Sequence, residues 1–328
     1  MFGNEMGGAG ILGAIMAGSA GRSVEIDIPV LVISGPTASG KTGVAIELAK
    51  RYGFELVGAD SMQVYRGMDI GTDTPTATQL GGVTHHLINV VNPDEEYDAA
   101  RFAKDADSVI ADIHKRGRRA LIVGGTGLYL RVLLNGLQSG PPPNAELREE
   151  LNQKARHQGW PALHSQLKIM DPEAFERLHP NDGVRIVRAL EVYLQTGKPL
   201  SEWQKEHGFS QKRYPHLIIG ISRPKEELNE RINRRVDEMF QMGLIEEVKT
   251  LLEKGYDSSL KPMQALGYKP VNEYICGDIS LDQAIENTKT TTRRFAKRQR
   301  TWFRKEEDIV WTPPSVEAVI AAADEWLP

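Results

Sequence analysis

The sequence feature that most constrains the fold is the segment GPTASGKT, from Gly35 to Thr42, which has the G-x-x-x-x-G-K-T spacing of a phosphate-binding loop. The largely apolar run Val30–Ser34 precedes it and predicts a buried parallel strand. Apolar residues then recur at helical spacing, and Gly53 is expected to end that helix. A loop between a strand and a helix N-terminus is the context in which backbone N–H groups bind phosphate. The chain is therefore predicted to be an α/β protein with a parallel sheet.

Every residue of this loop is a candidate for binding phosphate. Lys41 would add a positive charge, and the Thr42 hydroxyl is placed to reach a magnesium ion. The alternative is a chance glycine turn, which does not account for the full spacing in the correct context. The candidate phosphate-binding residues are Gly35, Pro36, Thr37, Ala38, Ser39, Gly40, Lys41 and Thr42.

Two further strands end in residues that bear on function. The segment FELVGADS predicts a strand that ends at Asp60 and Ser61, which would put a carboxylate in the ligand crevice of an open sheet. The alternative is that Asp60 caps a following helix. Another predicted strand, Ala120–Val123, is followed by the sequence GGTG. Many nucleotide-hydrolysing proteins with a phosphate loop carry a magnesium-supporting Asp there, so its absence argues against hydrolysis of a γ-phosphate. The GGTG spacing is not that of a dinucleotide-binding fingerprint either.

The domain organisation is indicated by a change in composition at Pro141–Pro143, which is typical of a stiff linker. The following residues have a helical pattern in which Asp171 and Asn181 are expected helix caps. The apolar run His216–Ser222 then predicts another strand. The predicted organisation is a catalytic core of residues 24–138 and 206–328 with a helical C-terminal part, and an inserted helical domain at 139–205.

The first 23 residues are rich in Gly and Ala, with an apolar centre at Ile11–Ala17. Glu5 precedes that centre and no Lys or Arg does, which is the wrong charge for a secretory signal. A disordered tail or an upstream start is expected instead. No apolar run reaches the length of a membrane span, so no membrane association is expected.

The cysteine and histidine content argues against a zinc site. The single cysteine, Cys276, allows no disulfide within the chain and fits a reducing, cytoplasmic compartment. His85 and His86 are adjacent, and no His, Asp or Glu falls at a spacing that would complete a zinc set. We expect these histidines in a loop that packs or borders the substrate.

The net charge of −4 is uninformative, but the distribution of charge is not. Seven of the thirteen residues from Arg293 to Lys305 are Lys or Arg, none is acidic, and aromatic residues are interleaved. Basic groups neutralise backbone phosphates and aromatic rings stack on unpaired bases, so this mixture suits RNA. The alternative is a solvated helix face with its aromatic residues in the core. Arg185 and Arg188 form a second basic group in the inserted block.

Several motifs, in order along Val30–Trp311, resemble those of the bacterial tRNA dimethylallyltransferases, the MiaA family. They are GPTASGKT, ADSMQVYRGMDIGT, VGGTGLYL, HPND, RALEVYLQTGKPLSEW, QALGYK and RRFAKRQRTWFR. The resemblance implies a P-loop NTPase-like, nucleotide-kinase-like core. It also implies transfer of a dimethylallyl group from dimethylallyl diphosphate to N6 of the adenine 3′ of the anticodon, with release of diphosphate. The loop would then hold a diphosphate rather than ATP, and Mg²⁺ would bind at Thr42.

The resemblance also implies roles for individual residues. Asp60 matches the family's base, Thr37 touches the reacting groups, and the catalytic arginine matches Arg223 better than the nearby Lys225. The inserted domain would clamp the anticodon stem-loop of tRNA, and the protein would act as a monomer. The residues implied to bind or border tRNA are Asp60, Ser61, Met62, Gln63, Thr126, Val184, Arg185, Ile186, Val187, Arg188, Gln264, Ala265, Leu266, Gly267, Tyr268, Lys269, Lys297, Arg298, Gln299, Arg300, Thr301, Trp302, Phe303 and Arg304.

Three other functions are considered. An adenylate isopentenyltransferase prenylates a free nucleotide and should need neither the inserted block nor the basic segment. A P-loop small-molecule kinase would consume ATP. An RNA-binding NTPase switch would need a nucleotide cycle, against which the missing strand-end Asp argues.

Overall fold

The computed structural model describes residues 26–136, 140–207 and 212–327, so the expectation for the first 23 residues lies outside the described part. Within that part, one parallel sheet has the strand order β3-β2-β4-β1-β5-β6. The strands are β1 Val30–Ser34, β2 Glu55–Gly58, β3 His85–His86, β4 Ala120–Gly124, β5 His216–Ile221 and β6 Ile309–Thr312.

Helices, together with turns and loops, connect these strands. Between β1 and β5 they are Lys41–Tyr52, Ala77–Leu80, Ala99–Lys115, Gly127–Asn135, Ala145–Gln158, Trp160–Met170, Pro172–Arg177, Gly183–Thr196 and Leu200–His207. After β5 they are Lys225–Gln241, Leu244–Glu253, Tyr268–Ile275, Leu281–Phe303 and Val316–Ala322, with short 3₁₀ turns at Pro262–Gln264 and Asp324–Trp326. Among the described residues, no helix is both long and apolar enough to cross a membrane.

The sheet is covered on both faces, as strand β1 shows. Val30 and Val32 belong to one apolar cluster and Leu31 and Ile33 to another, because successive side chains of a strand point to opposite faces. β1 lies between β4 and β5, so Ser34 is level with the ends of both neighbours. The fold is the predicted P-loop NTPase-like one, and the ligand crevice lies where these parallel strands end.

The described chain divides into two compact units. One consists of residues 26–134 and 213–327 and contains the sheet. The other lies within Asn135–Lys212 and is helical around an apolar core that includes Leu163, Leu167, Ile186 and Leu190. The block expected at 139–205 falls inside this second range, and its role in binding tRNA stays a prediction.

The start of the helix Gly183–Thr196 corrects one predicted cap. Asp182, not Asn181, caps it, and the Asp182 carboxylate accepts a hydrogen bond from the N–H of Arg185. Asn181 is one residue too early because it belongs to the preceding turn, where its N–H donates to His179 Nδ1. The predicted cap Asp171 is confirmed, since it accepts from the N–H of Ala174 at 3.0 Å.

His85 and His86 form strand β3 beside β2, so the expectation of a loop was wrong. The strand is fixed by the buried Glu55 of β2, which contacts His86 Nε2 at 2.7 Å and also pairs with Arg116 and Arg118. The hydrogen bonds from Arg116 are the main reason why the pKa of Glu55 falls to about 2, against the opposing effect of burial. His86 therefore takes part in a structural ion cluster at this side of the sheet.

Candidate active site

The phosphate loop closes tightly against the end of β5. Gly35 has a φ of +147°, and a Cβ there would lie 2.7 Å from the carbonyl oxygen of Ile221. Gly40 has a φ of +96° and directly precedes the helix that begins at Lys41. The loop thus needs glycine at both positions, and it delivers the chain to a helix N-terminus, where anions are stabilised.

Three arginines hold this loop from one neighbouring segment. Arg223 Nε donates to the carbonyl of Ser39 at 2.8 Å, and Arg231 Nε donates to that of Ala38 at 2.9 Å. Arg235 donates to Thr37 Oγ1 at 2.6 Å. Sequence reasoning found Arg223 but missed the other two, although the segment ERINRR places Arg231 and Arg235 on one helix face by their i, i+4 spacing. The exposed Lys225 makes no such contact with the loop among the described residues.

The charges around the loop are mutually unfavourable in the absence of an anion. Burial is the main cause of the lowered pKa of Lys41, and Arg235 lowers it further while Asp60 and Asp73 oppose the shift. Burial and then Arg223 likewise lower the pKa of Arg231. Arg235 Nε and Ser39 Oγ are buried, with no hydrogen-bond partner among the described residues. A multiply charged anion at the loop would stabilise the charged forms of Lys41 and Arg231, and it would accept hydrogen bonds from Arg235 Nε and Ser39 Oγ.

Gln299 ties the loop to the turn after β4. Its Oε1 accepts the N–H of Thr37 at 2.8 Å, and its Nε2 donates to the carbonyl of Gly125 at 2.8 Å. Its side chain is buried and supports the loop, and its expected contact with tRNA stays a prediction. Thr37 also lines the neighbouring cavity.

The three glycines of the GGTG turn have no room for side chains. A Cβ on Gly124 would lie 2.1 Å from the carbonyl oxygen of Ala59, and one on Gly125 would lie 2.5 Å from Gln299 Nε2. A Cβ on Gly127 would lie 2.1 Å from Trp302 Nε1. The strand-end Asp of nucleotide-hydrolysing proteins is therefore sterically excluded at Gly124.

Replacing Gly124 with Ala should destabilise the protein by about 1–3 kcal/mol or more, because the Ala59 carbonyl is backbone and cannot move aside cheaply. The measurement is the free energy of unfolding in urea. Gly43→Ala is the matched control: Gly43 lies in an exposed helical position with nothing within 4 Å of an added Cβ. It should be neutral or stabilising by up to about 1 kcal/mol. Equal stabilities of the two variants would contradict this account of the turn.

Asp60 follows strand β2, where it both caps a turn and lines the adjacent cavity. Its Oδ1 accepts the N–H groups of Met62 at 2.9 Å and Gln63 at 3.4 Å, so it caps a turn rather than a helix. Among the described residues, none donates a hydrogen bond to its Oδ2. Thr126 fixes the same turn, since its Oγ1 accepts the N–H of Ser61 at 3.0 Å. The carboxylate also lines the adjacent cavity, so one oxygen positions it and the other is available to a ligand.

The cavity has a volume of about 290 Å³ and joins the phosphate loop to Asp60. Thr37 and Arg235 supply its polar end beside the loop, while Met62, Met239 and Phe295 supply apolar walls. Most of its lining is made of residues that the sequence singled out. These are Thr37, Asp60, Ser61, Met62, Gln264, Ala265, Leu266, Gly267, Tyr268 and Arg298.

Glu247 shapes one wall of the cavity and was missed by sequence reasoning. Its carboxylate accepts the N–H groups of Asp69, Ile70 and Gly71 at 2.7–3.1 Å and the hydroxyl of Tyr268 at 2.7 Å. A Cβ on Gly71 would lie 2.6 Å from the Tyr268 ring. This wall is therefore closely packed, and the hydroxyl of Tyr268 is held by Glu247.

A family model described as IPP transferase matches residues 63–306. The chain belongs to the IPP transferase family. It is 52% identical over 287 residues to tRNA dimethylallyltransferase 2 of Geotalea daltonii, covering 88% of each chain. It is 50% identical over 296 residues to tRNA dimethylallyltransferase of Geobacter sulfurreducens, covering 90% of this chain and 94% of that one. The resemblance found in the sequence is thereby confirmed.

Solved structures agree with this family assignment. A tRNA delta(2)-isopentenylpyrophosphate transferase from Staphylococcus epidermidis matches with a TM-score of 0.67 at 38% identity, over 92% of this chain and 98% of that one. A eukaryotic dimethylallyltransferase, described as acting on tRNA, matches with a TM-score of 0.78 at 29% identity, over 92% of this chain and 79% of that one.

The residues expected to contact tRNA in this family member divide by exposure. Lys297, Arg298, Thr301 and Arg304 are exposed on the helix Leu281–Phe303 and just beyond it, whereas Phe303 is buried. Trp302 packs on the turn at Gly127 and under Arg131, whose guanidinium lies 4.3 Å from its ring centroid.

In the helical unit, Val184 and Arg185 are exposed, Arg188 pairs with Glu191, and Ile186 and Val187 are buried. The buried members of both sets pack in the fold, and the role of these residues in binding tRNA stays a prediction. Gln63 donates to the carbonyls of Thr72 and Asp73, and Lys269 is exposed.

Proposed function

We propose that this protein transfers a dimethylallyl group from dimethylallyl diphosphate to N6 of the adenine 3′ of the anticodon in tRNA, with release of diphosphate. The observation that carries the proposal is the cavity that joins a cationic phosphate loop to a carboxylate, Asp60, through apolar walls. A diphosphate suits one end, a short branched hydrocarbon suits the walls, and an amine that must lose a proton suits the other end. The names of the relatives given above support the same reaction.

The chemistry follows from these positions. The adenine N6 attacks the allylic carbon, the carbon–oxygen bond breaks, and its electron pair leaves with the diphosphate. Lys41, Arg223 and Arg235 stabilise the charge that grows on the leaving group. The N6 proton passes to the available oxygen of Asp60. Because the loop holds the leaving group, no water has to be activated at a phosphorus atom, which is consistent with the exclusion of a side chain at Gly124.

A divalent cation, Mg²⁺ in our proposal, fits this loop. The described residues contain no cluster of three or more His, Cys, Asp or Glu side chains that could hold a metal by themselves. Mg²⁺ commonly keeps several waters and binds through few protein ligands plus substrate phosphates. The Thr42 hydroxyl at the start of the loop helix would be that ligand, and the ion would neutralise part of the diphosphate charge.

The RNA partner is supported by cations that lack carboxylate partners. Among the described residues, no salt bridge involves Lys297, Arg298, Arg300 or Arg304, whereas Arg293 on the same helix pairs with Glu286. Unpaired cations on one helix suit a phosphate backbone. The target adenine would leave its stack to enter the cavity. The helical unit would contact the anticodon stem, and the protein would act as a monomer.

The decisive experiment combines the protein, labelled dimethylallyl diphosphate, Mg²⁺ and unmodified tRNA, with ATP absent. We expect the label to appear on the adenine 3′ of the anticodon, and not on a control tRNA with guanosine at that position. Label on free AMP but not on tRNA would favour an adenylate isopentenyltransferase. Transfer that requires ATP would favour a kinase-type use of the loop and overturn the proposal.

A further inference from the structure

A second pocket lies next to the phosphate loop, and of the groups to which the proposed chemistry assigns a role only Arg223 lines it. It has a volume of about 230 Å³ and is lined by Pro36, Ser222, Arg223, Arg300, Arg304 and Trp311. Pro36 of the phosphate loop lines this pocket, and the next residue, Thr37, lines the catalytic cavity.

Trp311 lines the pocket, and its ring is held in a defined place. Trp311 in β6 is paired in register with Gly220 in β5. A Cβ on Gly220 would lie 2.6 Å from the Trp311 ring, so the ring packs directly on backbone. The residue nevertheless remains 40% exposed. An aromatic ring that packs against backbone and stays partly exposed can stack on an unpaired base.

The walls of the pocket supply positive charge. Arg300 and Arg304 are one helical turn apart, so both side chains lie on the same side of the chain. No described carboxylate forms a salt bridge with either, in contrast to Arg223, which pairs with Glu227. These two guanidinium groups are therefore available to a phosphate.

The helix Leu281–Phe303 and its C-cap Arg304 contribute residues both to this pocket and to the catalytic cavity. Arg298 lines the cavity and Arg304 lines the pocket, and six helical residues span about 9 Å along the axis. This distance is short enough for neighbouring nucleotides of one strand to reach both spaces.

We propose that this pocket binds an unpaired nucleotide of the RNA substrate adjacent to the target adenine, with its base stacked on Trp311 and its phosphate held by Arg300 and Arg304. The inference rests on the proposed function and adds a second subsite to it. It implies that the enzyme holds the RNA strand at a second point beside the phosphate loop, which would keep the flipped adenine in place.

The test uses an anticodon stem-loop RNA and three variants. Trp311→Leu keeps apolar contact with Gly220 but removes the stacking surface, and it should bind the RNA about tenfold more weakly. Trp311→Phe keeps a ring and should bind within a few-fold of the wild-type protein. Val310→Ala is the matched control, since Val310 is 41% exposed on the same strand and does not line the pocket. It should bind RNA like the wild-type protein.

A scan of abasic sites identifies the nucleotide. Each loop position except the target is made abasic in turn, and affinity is measured for wild-type protein, Trp311→Leu and Arg304→Gln. One position should weaken wild-type binding about tenfold and have little further effect in Trp311→Leu, as expected for two partners in a double-mutant cycle. Arg304→Gln should remain sensitive to that abasic site but lower the salt dependence of binding by about one unit of slope.

Two results would overturn the subsite. One is a Trp311→Leu variant that binds the RNA as tightly as Val310→Ala. The other is an abasic effect of equal size in the wild-type protein and Trp311→Leu at every position. Quenching of the tryptophan fluorescence by free AMP or inorganic diphosphate, but not by RNA, that is lost in Trp311→Leu would assign the pocket to a small ligand instead. In each of these cases wild-type protein would still transfer label to tRNA, whereas loss of that transfer would refute the proposed function itself.

Discussion

Asp60→Asn should slow single-turnover transfer by about 10²- to 10⁴-fold, the usual cost of losing a general base. The amide keeps a carbonyl oxygen that can still accept the N–H groups of Met62 and Gln63, so the turn should survive. It cannot accept the N6 proton at neutral pH. Binding of tRNA and of dimethylallyl diphosphate should therefore stay close to the wild-type values while the chemical step is slow. The measurement is transfer at saturating tRNA, beside a binding titration.

Asp98→Asn separates the catalytic role from the capping role. Asp98 Oδ1 also accepts two backbone N–H groups, from Ala100 at 3.0 Å and Arg101 at 2.8 Å, and the residue lies outside the cavity. Both substitutions should change stability by similar small amounts, but only Asp60→Asn should slow transfer. If Asp60→Asn turned over within a few-fold of the wild-type protein, Asp60 would be a positioning residue, and the amine would lose its proton to another acceptor.

The fold could be predicted from the sequence because its main signals are local. A strand, a glycine-rich loop and a helix follow one another within the segment from Val30 to Gly53, and each has its own pattern. β3 could not be found in this way, because two residues carry no alternation. It exists because buried Glu55 pairs with His86 and arginines distant in sequence. Such pairing is a property of the tertiary structure.

The site was predictable where a motif carries chemistry and not where residues act from outside a motif. Asp60 and Thr37 belong to recognisable segments and both line the cavity. Arg235 and Glu247 come from later helices and act by holding the backbone or side chains of earlier loops. Charged residues at helical spacing, such as Arg231 and Arg235, are also common on ordinary exposed helices, so their pattern alone does not select them.

In the basic segment, helical periodicity separates buried residues from exposed ones. The residues from Lys297 to Arg304 were treated as one contact surface. In a helix, however, Ala296, Gln299 and Phe303 share one face, and the structure buries that face. The charged residues between them remain exposed or half-buried. The core-packing interpretation of this segment thus holds for one side of the helix, and the exposed side stays a predicted RNA surface.

Lys41→Met should reduce the single-turnover rate by about 10²- to 10³-fold and also weaken binding of dimethylallyl diphosphate, because Lys41 faces charge that is present in the bound donor and grows as the diphosphate leaves. Lys50→Met is the matched control, since Lys50 lies on the same helix but is exposed and pairs with Glu47 at 3.4 Å. The control should transfer and bind the donor like the wild-type protein.

Stability provides the independent check on the Lys41 prediction. In the free protein, burial and the nearby Arg235 both disfavour the charged ammonium, as the lowered pKa of Lys41 indicates. Lys41→Met removes this penalty, so its free energy of unfolding without ligand should equal or exceed that of the wild-type protein. Addition of diphosphate should then stabilise the wild-type protein and Lys50→Met, and stabilise Lys41→Met much less. A variant that lost activity and was also less stable without ligand would show that Lys41 supports the fold. The role of the loop's cations would then be to stabilise the structure rather than the leaving group.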